Sequence, residues 1–477
     1  MESETYNRAS QAVDGSPTPC LSSPMTTGLA SRIPVEFEGE GGGTGELSWG
    51  QREMWGNIHR QVNTQLTLAG VVPLPPETTV ESVAASFGFL LGRHQSLRTR
   101  IRVDAAGRLQ QVVAERGETH LEVVDADGAD PTGVAEIVHV RLRDTRFDFA
   151  QDWPVRMAVV RDKGILTHIV TAFSHLAVDG AGVDVLVADL VNRDPDTGCA
   201  RRPVTALQPL DQARRQSLPG QRRQSDAALR YWERILRTAP AHRFAEGSGR
   251  SDGGIVVAHF SSPAMSAALR TLGTRHQVST ASVLLAGYAV ALATVTGRDP
   301  SVVQVLVGNR FRPGLAESVS TLSQAGLCVI DVAGVGFGEV IRRAWQAATK
   351  AYKYAYYDST HRDELIESLG RERGEQFDLS CIVNDLRAPD AETLDGDGWD
   401  LPALVPDSRL DWLDVPNPPD ERLFISFTDQ PYPGLAAAPD SVCVMVHANT
   451  RFISTSDVES CLRRIETTLV EAALDTK

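Results

Sequence analysis

Segments with strand-like and helix-like patterns alternate along this chain in two successive sets, and this alternation restricts the possible folds more than any other feature. In the first set, PVRMAVVRD and GILTHIVTAF read as paired strands that follow the helical segment VAEIVHVRLRDTRF. The second of these strands is almost entirely apolar, which is typical of a strand inside a sheet. In the second set, the strands SVVQVLVGN and SVCVMVHANT are separated by long helical segments. The pattern predicts an α/β protein with mixed (α+β) sheets and two lobes.

The length of the chain agrees with two lobes. Its 477 residues, 42% of them hydrophobic, are more than one ordinary core needs. We expect a Ser-, Thr-, Pro- and Gly-rich tail over residues 1–45, an N-terminal lobe over 46–205 and a C-terminal lobe over 206–477. The first predicted helix begins in LSWGQREMWGNIHRQ, where Ser48 is placed to cap it.

Charge and cysteine spacing exclude several classes of function. The formal net charge of -14 repels nucleic acid and anionic membranes, so we expect neither as a partner. The uncharged stretch Val278–Gly297 is long enough to span a bilayer, but Ser, Thr, Gly and Tyr dilute it and favour a buried helix. The six cysteines lie far apart without metal-site spacing, and no secretion signal precedes them, which predicts reduced thiols, no metal and a cytoplasmic protein.

One basic stretch stands apart from this acidic background. Seven arginines lie within two dozen residues. They could bind an acidic partner, or they could simply cover a helix face exposed to solvent, and the second interpretation is favoured. They are Arg214, Arg215, Arg222, Arg223, Arg230, Arg234 and Arg237.

The segment FSHLAVDGAGVDVL carries the most informative chemistry. A buried strand ends at Phe173 and a helix follows Gly180, which leaves His175 and Asp179 in the loop between them. Such loops are where α/β proteins place reactive groups. Each residue also has a structural interpretation, since Asp179 can cap the helix, Gly180 can serve the turn and His175 can be an ordinary loop histidine. Ser174 and His175 do not form a nucleophile and base pair, because adjacent residues leaving a strand point to opposite faces.

As a unit, this segment resembles the HHxxxDG signature of the condensation-domain superfamily. That superfamily includes the condensation domains of nonribosomal peptide synthetases, related O-acyltransferases and chloramphenicol acetyltransferase. The similarity continues in order along residues 45–475: Leu47-Ser48 with Gln51 and Trp55 is similar to the first motif of the family. RHQSLRT, residues 93–99, is similar to the second motif, and VGNRFRP is similar to a turn of the second lobe.

The resemblance implies a free-standing enzyme with two chloramphenicol-acetyltransferase-like lobes in a V shape and an active-site tunnel between them. Such an enzyme moves an acyl or aminoacyl group from a phosphopantetheine thioester to an amine or hydroxyl, forming an amide or ester in secondary-metabolite biosynthesis. The thioester would be on a carrier protein acting in trans or on CoA, and the acceptor would be a small molecule. The protein would be a monomer, and no cofactor would be bound. A further alternative is an epimerase-like relative. It is disfavoured, because such relatives usually occur in multidomain assemblies.

The same resemblance implies roles for individual residues. His175 takes a proton from the attacking group or orients it, and Gly180 leaves room at the carbonyl and offers its amide hydrogen to the oxyanion. Asp179 holds the loop by pairing with Arg98, and Ser174, which replaces the first histidine of the signature, supports it too. Three further residues are expected to line the tunnel: Ser323, Gln324 and Asn384.

Two departures favour a second hypothesis of a different class. One is the serine at position 174, and the other is VSTLSQAGLCVID, where Gln324 stands in place of the usual asparagine and the closing arginine is missing. A degenerate module that binds a carrier protein or recruits another partner without catalysis would also tolerate both.

Overall fold

The computed structural model describes residues 29–60, 65–244, 253–388, 399–415, 418–419 and 421–475. The chain divides into two compact units. Unit 1 is Met1–Arg222 with Gly308–Ser323, and unit 2 is Arg223–Val307 with Gln324–Lys477. The boundary therefore lies later than the predicted residue 205, and a short segment of the predicted C-terminal lobe belongs to unit 1. The physical reason for the later boundary is that Gln216 accepts the Trp49 N–H and that the Pro209 carbonyl accepts from Gln111, both within unit 1.

Unit 1 contains two sheets in its described part. Its strands are β1 (Leu29–Glu38), β2 (Gly43–Glu46), β3 (Thr67–Pro73), β4 (Thr99–Val103), β5 (Leu109–Val113), β6 (Arg116–Asp125), β7 (Val155–Asp162) and β8 (Ile165–Ser174). Five of them form a sheet of order β1-β6-β7-β8-β3, in which only β6 and β7 run parallel. The other three form an antiparallel sheet of order β2-β5-β4. The predicted pairing of β7 with β8 is confirmed, and β8 lies inside its sheet.

The helices of unit 1 cover its sheets. They are α1 (Trp49–Arg60), α2 (Val80–Arg93), α3 (Pro131–Asp144), α4 (Gly180–Asp189) and α5 (Pro209–Gln216), and α6 (Pro219–Leu236) crosses the unit boundary at Arg222. The predicted start of α1 is confirmed by a reciprocal cap. The Ser48 hydroxyl accepts the Gln51 N–H at 3.3 Å, and the Gln51 side chain accepts the Ser48 N–H at 2.8 Å.

The structure differs from the predicted tail over residues 1–45. Residues 1–28 lie outside the described residues, but β1 and most of β2 fall inside the predicted tail. β1 pairs with β6, and its Val35 and Phe37 are 4% and 5% exposed because they enter the core of the sheet. Pro34 is accommodated because β1 is an edge strand, where a missing N–H costs no ladder hydrogen bond.

Unit 2 contains one seven-stranded sheet in its described part. Its strands are β9 (Ile255–Ser262), β10 (Ser301–Val307), β11 (Gln324–Ile330), β12 (Cys381–Asp385), β13 (Arg409–Leu413), β14 (Leu423–Thr428) and β15 (Val442–Asn449). Their order is β11-β10-β12-β14-β15-β9-β13, with β12 parallel to both of its neighbours and every other pair antiparallel.

The helices of unit 2 pack on this sheet. Besides α6, they are α7 (Pro263–His276), α8 (Thr280–Thr296), α9 (Phe337–Tyr354), α10 (Ser359–Arg373), α11 (Leu401–Leu404) and α12 (Thr455–Leu474). The uncharged stretch forms α8, which is buried along most of its length in the core of the unit, as predicted. In the described part of the chain, no single helix has the length and apolar character to cross a membrane. The pair α7 and α8, bent by 111°, meets that test only when taken together.

Candidate active site

His175 lies in a short loop at the end of an interior strand. β8 ends at Ser174, α4 begins at Gly180, and β8 is paired on one side by β7 and on the other by β3. Ser174 is 1% exposed, and its hydroxyl accepts the Leu176 N–H at 3.2 Å. Its carbonyl accepts the Ala177 N–H at 2.9 Å, which closes the first turn of the loop. The loop therefore leaves a strand that is fixed on both sides.

The imidazole of His175 is held in a form that accepts protons. His175 is partly exposed as a residue, while its Nδ1 atom is buried. Burial lowers the pKa of His175 below its ordinary value, and the nearby Asp179 carboxylate opposes that shift only in part. A histidine with a lowered pKa is neutral at pH 7, so one ring nitrogen has a free lone pair.

Asp179 organises the loop through both carboxylate oxygens. It is the N-cap of α4, where Oδ1 accepts the Gly182 N–H at 2.9 Å. Its Oδ1 also accepts a hydrogen bond from the guanidinium of the partly buried Arg310, which makes an ion pair. Its Oδ2 accepts the Leu322 N–H at 2.9 Å and the Ser323 hydroxyl at 3.3 Å. Asp179 therefore both caps α4 and holds the loop in place.

The predicted partner of Asp179 was wrong. Arg98 is 1% exposed, and its guanidinium donates instead to the carbonyls of Ala114 and Glu40. The reason is local, because Arg98 ends a turn that leads directly into β4, and its side chain extends toward the backbone that follows β5 and β1. The actual partner, Arg310, lies within VGNRFRP, which was the one sequence signal that pointed to it.

The segment Gly308–Ser323 is fixed to unit 1 by further polar contacts. Inside the segment, the Asn309 side chain donates to the Leu322 carbonyl at 3.0 Å and so holds its two ends together. The side-chain amide of Gln212, on α5, lies 2.8 Å from the Ser318 hydroxyl and 2.9 Å from the Ser320 hydroxyl. Sequence reasoning missed Gln212, because nothing in its surroundings marks a glutamine that is buried against residues a hundred positions later.

The first turn of α4, which follows the His175 loop in the chain, has open space and amide donors. Gly180 is exposed, and a Cβ atom built there would meet no atom within 4 Å. Its N–H belongs to the first turn of the helix, whose amides have no acceptor inside the helix. In contrast, a Cβ on Gly182 would lie 2.5 Å from a methyl carbon of Val178.

The three predicted tunnel residues have different surroundings. Ser323 belongs to unit 1 and contacts Asp179, as described above. Gln324, the first residue of β11 in unit 2, is 1% exposed. Its side-chain amide donates to the Tyr357 carbonyl at 2.9 Å and accepts the Tyr357 N–H at 3.3 Å. The amide of Gln324 is therefore bonded to the backbone, whereas the prediction had it facing a substrate. Asn384 is a partly exposed residue of β12, also in unit 2.

Metal-ligating residues do not gather in the described ranges. No group of three or more His, Cys, Asp or Glu side chains there is arranged to hold a metal ion. Cys199 is exposed, and the other four cysteines of the described part are buried and free. Burial raises the pKa of the Cys328 thiol to about 12, which keeps it protonated and unreactive.

Comparison with known proteins identifies the family. The model of the family described as Condensation domain matches residues 46–379. The chain belongs to the condensation-domain family. Among curated relatives, the isonitrile lipopeptide synthase of Mycobacterium tuberculosis is 24% identical over 326 residues, which are 64% of this chain and 13% of that protein. The chain therefore spans about an eighth of the length of that relative.

Solved structures agree in fold over most of the chain. The condensation domain that mediates chain release from the enacyloxin polyketide synthase has a TM-score of 0.65 at 18% identity, covering 91% of this chain and 83% of that one. The X-domain from teicoplanin biosynthesis, in its complex with OxyB, has a TM-score of 0.67 at 18% identity, covering 90% and 93%. These similarities establish the α/β condensation-domain fold.

Proposed function

We propose that this chain is an acyltransferase that moves an acyl or aminoacyl group from a phosphopantetheine thioester to an amine or hydroxyl. The family as a whole supports a product that is an amide or an ester. The observation that carries the proposal is the geometry of the His175 loop, which Asp179 fixes through both carboxylate oxygens and which ends in open space at Gly180. Burial also lowers the pKa of His175, which favours the neutral imidazole.

The proposed reaction follows from these groups. The lone pair of the amine or hydroxyl attacks the carbonyl carbon of the thioester, and His175 accepts the proton that the nucleophile loses. The carbonyl oxygen becomes an oxyanion, toward which the Gly180 N–H is proposed to donate. The tetrahedral intermediate then collapses, the carbon–sulfur bond breaks, and the leaving thiolate takes the proton back from the imidazolium. The site is thereby returned to its starting state, and no redox or metal step is needed.

The proposed donor is a carrier protein acting in trans or CoA, since both present the same phosphopantetheine arm. The proposed acceptor is a small amine or alcohol. Relatives that are named as peptide synthases and a polyketide synthase support a role in secondary metabolism. The arm belongs to the substrate, so the proposal assigns no resident cofactor to the chain.

The test compares the wild type with His175→Ala and a matched control. His168→Ala removes another partly buried histidine of lowered pKa, located on β8, the strand that leads to the His175 loop. Each protein is given acyl-carrier or acyl-CoA thioesters with a panel of amines and alcohols, and the products are identified by mass spectrometry. We expect product from the wild type and from His168→Ala, and its loss in His175→Ala while the melting temperatures stay similar. Equal product from all three proteins would remove His175 from the mechanism.

A second candidate, recruitment without catalysis, is favoured by one specific feature. Ser174 occupies the position of the first signature histidine, and its hydroxyl is used by the loop backbone. The X-domain with a similar fold was solved in complex with OxyB, a case of a condensation fold that binds another protein. If no donor and acceptor pair gives product while a carrier protein still binds, this candidate replaces the first.

A further inference from the structure

Unit 1 contains a cleft that is not part of the proposed reaction. Its volume is about 710 Å³, which lies within the range of small-molecule sites, roughly 300–1,000 Å³. Most of its lining residues come from the last two turns of α1, from the edge strand β4 and from the segment 146–151 that precedes β7. None of its described lining residues belongs to the His175 loop. The cleft is therefore a candidate site for a separate ligand.

Four aromatic rings line this cleft. The ring of Trp55 lies 4.2 Å from that of His59 and 5.7 Å from that of Phe149, measured between ring centroids. Phe149 in turn stacks on Phe147, with the centroids 6.4 Å apart. We name the site the aromatic cleft and define it by these four rings. Trp55 and Phe149 are only partly buried, so part of their surface is open to a ligand.

The chain segment that precedes β7 is held in place by contacts within unit 1. The Ile101 N–H on β4 donates to the Phe149 carbonyl at 2.7 Å. The side chain of Gln65 accepts the Phe147 N–H and donates to the Phe147 carbonyl at 3.4 Å. The Arg156 guanidinium covers the ring of Phe147 and lies 3.8 Å from its centroid. Because this wall of the cleft is already fixed, a ligand would lose little free energy in ordering it.

The charged side chains at the cleft favour an anionic ligand. Arg102 and Arg146 line the cleft and are exposed, and Asp148 is the acidic residue among the described lining residues. One carboxylate oxygen of Asp148 is used by the local turn, where it accepts the Ala150 N–H at 2.9 Å. Arg102 forms no ion pair with any residue in the described ranges. Burial, together with the like charge of Arg102, lowers the pKa of Arg100. A carboxylate on the ligand would therefore supply the counter-ion that Arg102 lacks.

We propose that the aromatic cleft binds a small aromatic carboxylate, with its ring against Trp55 and Phe149 and its carboxylate on Arg102. Aromatic rings that stack or meet edge to face gain free energy beyond the burial of their area. A guanidinium and a carboxylate form charge-assisted hydrogen bonds that also fix the orientation of the ligand. An aliphatic acid would use only the arginine, and a neutral aromatic compound only the rings. This inference goes beyond the proposed function and does not rest on it.

The test measures the binding of three probes to the full chain by calorimetry. The probes are 2-naphthoate, its neutral analogue 2-naphthamide and the aliphatic acid octanoate. Arg102→Gln removes the positive charge, and its control is Arg116→Gln, which changes an exposed arginine of unit 1 outside the cleft. Ala150→Phe fills the cleft, and its control is Ala106→Phe, outside the cleft. These alanines are matched, because the N–H of each donates at 2.9 Å to the aspartate two residues earlier.

We expect 2-naphthoate to bind the wild type about tenfold more tightly than either other probe, because it alone contacts both the rings and Arg102. Arg102→Gln should weaken the binding of 2-naphthoate about tenfold and leave that of 2-naphthamide within about twofold of the wild type. Ala150→Phe should abolish the binding of 2-naphthoate, whereas both controls should stay within about twofold of the wild type.

Several outcomes would overturn the proposal. One is that 2-naphthoate does not bind the wild type, and another is that it binds Ala150→Phe unchanged. Equal affinities for 2-naphthoate and 2-naphthamide would show that the carboxylate is not recognised, and equal affinities for 2-naphthoate and octanoate would show that the rings are not. Melting temperatures check that each variant is folded, and Arg102→Gln changes an exposed side chain, so it tests the site even if Ala150→Phe unfolds. No thioester or acceptor enters these measurements, so their failure leaves the proposed acyltransferase standing, and an absence of acyl transfer leaves the aromatic cleft standing.

Discussion

The two glycines at the start of α4 have opposite surroundings and therefore opposite expected roles. A methyl group at Gly180 meets only open space, so Gly180→Ala should leave the free energy of unfolding within about 0.5 kcal/mol of the wild type. It should nevertheless reduce kcat, because the methyl group enters the space that the reacting carbonyl is proposed to occupy. Gly182→Ala places its methyl group 2.5 Å from Val178 and should destabilise the protein by about 1–3 kcal/mol. Urea unfolding together with acyl-transfer rates checks both variants, and a normal rate for Gly180→Ala would show that the space is not used.

The lowered pKa of His175 predicts the pH dependence of the reaction. Because burial disfavours the imidazolium, the neutral base persists below the ordinary pKa of 6.5, and the acid limb of kcat/KM should have its midpoint below pH 6.5. The Asp179 carboxylate raises the pKa of His175, so Asp179→Asn should move that midpoint to lower pH still. Rate measurements between pH 4.5 and 8, within the range where each protein stays folded, test this expectation. A midpoint above pH 6.5 would contradict the burial argument.

At the scale of residues, the sequence was sufficient to select the candidate loop but not to predict its contacts. His175, Asp179 and Gly180 are close in the chain, so their spacing was sufficient to place them at a strand end. Arg310 lies 131 residues from Asp179, and the choice between it and Arg98 depends on which backbone passes beside the loop. A local pattern cannot supply that information.

At the scale of elements, a buried ion network joins the end of α2 to the end of α4. Arg93 donates two hydrogen bonds to Asp189, at 2.6 and 2.9 Å, and His94 lies 2.9 Å from the same carboxylate. Burial by itself would raise the pKa of Asp189, but hydrogen bonds from His94, Arg93 and Asn192 outweigh it and hold the pKa well below its usual range. This network fixes the C-terminal end of α4, the helix that carries Asp179 at its N-cap.

Asp189→Asn should therefore lower the free energy of unfolding by about 2–3 kcal/mol, since it leaves the largely buried side chain of Arg93 without its counter-ion. The matched control is Asp125→Asn, which breaks a more exposed pair with Arg161 and should cost less than about 1 kcal/mol. Denaturant unfolding at pH 7 compares the two variants. Equal costs would mean that the α2–α4 network does not contribute more than an exposed pair.

The predicted elements were most accurate where a mostly apolar segment was long. β7, β8 and α8 follow from such segments. β1 was missed although its residues Ile33, Val35 and Phe37 alternate as a strand requires, because a proline lies among them and a glycine run follows. The proline and the glycines are tolerated because β1 lies at the edge of its sheet. That position depends on the pairing of β1 with β6, about eighty residues later in the chain.

At the scale of the whole molecule, the chain does not divide into two continuous halves. Gly308–Ser323 belongs to unit 1, although the residues on either side of it belong to unit 2. The composition of this segment does not show that the chain returns to unit 1 here. A boundary predicted from the order of elements alone therefore placed the segment in the C-terminal lobe. The return supplies three partners of Asp179, namely Arg310, the Leu322 N–H and the Ser323 hydroxyl.

This division predicts how fragments of the chain behave. A fragment that ends at Arg222 retains Asp179, which is 3% exposed, but loses those three partners. A second fragment joins Gly308–Ser323 to Arg222 through a flexible linker, and a third carries Arg310→Ala in addition. We expect the joined fragment to be the most stable, and the other two to be less stable by about 1–3 kcal/mol, because the buried Asp179 carboxylate loses partners that compensate for its lost solvation. Unfolding in urea, followed by the fluorescence of Trp49, Trp55 and Trp153, measures the differences. Equal stability of the three fragments would mean that the returning segment is only an attachment to unit 1, and the burial of Asp179 would then need another source of compensation.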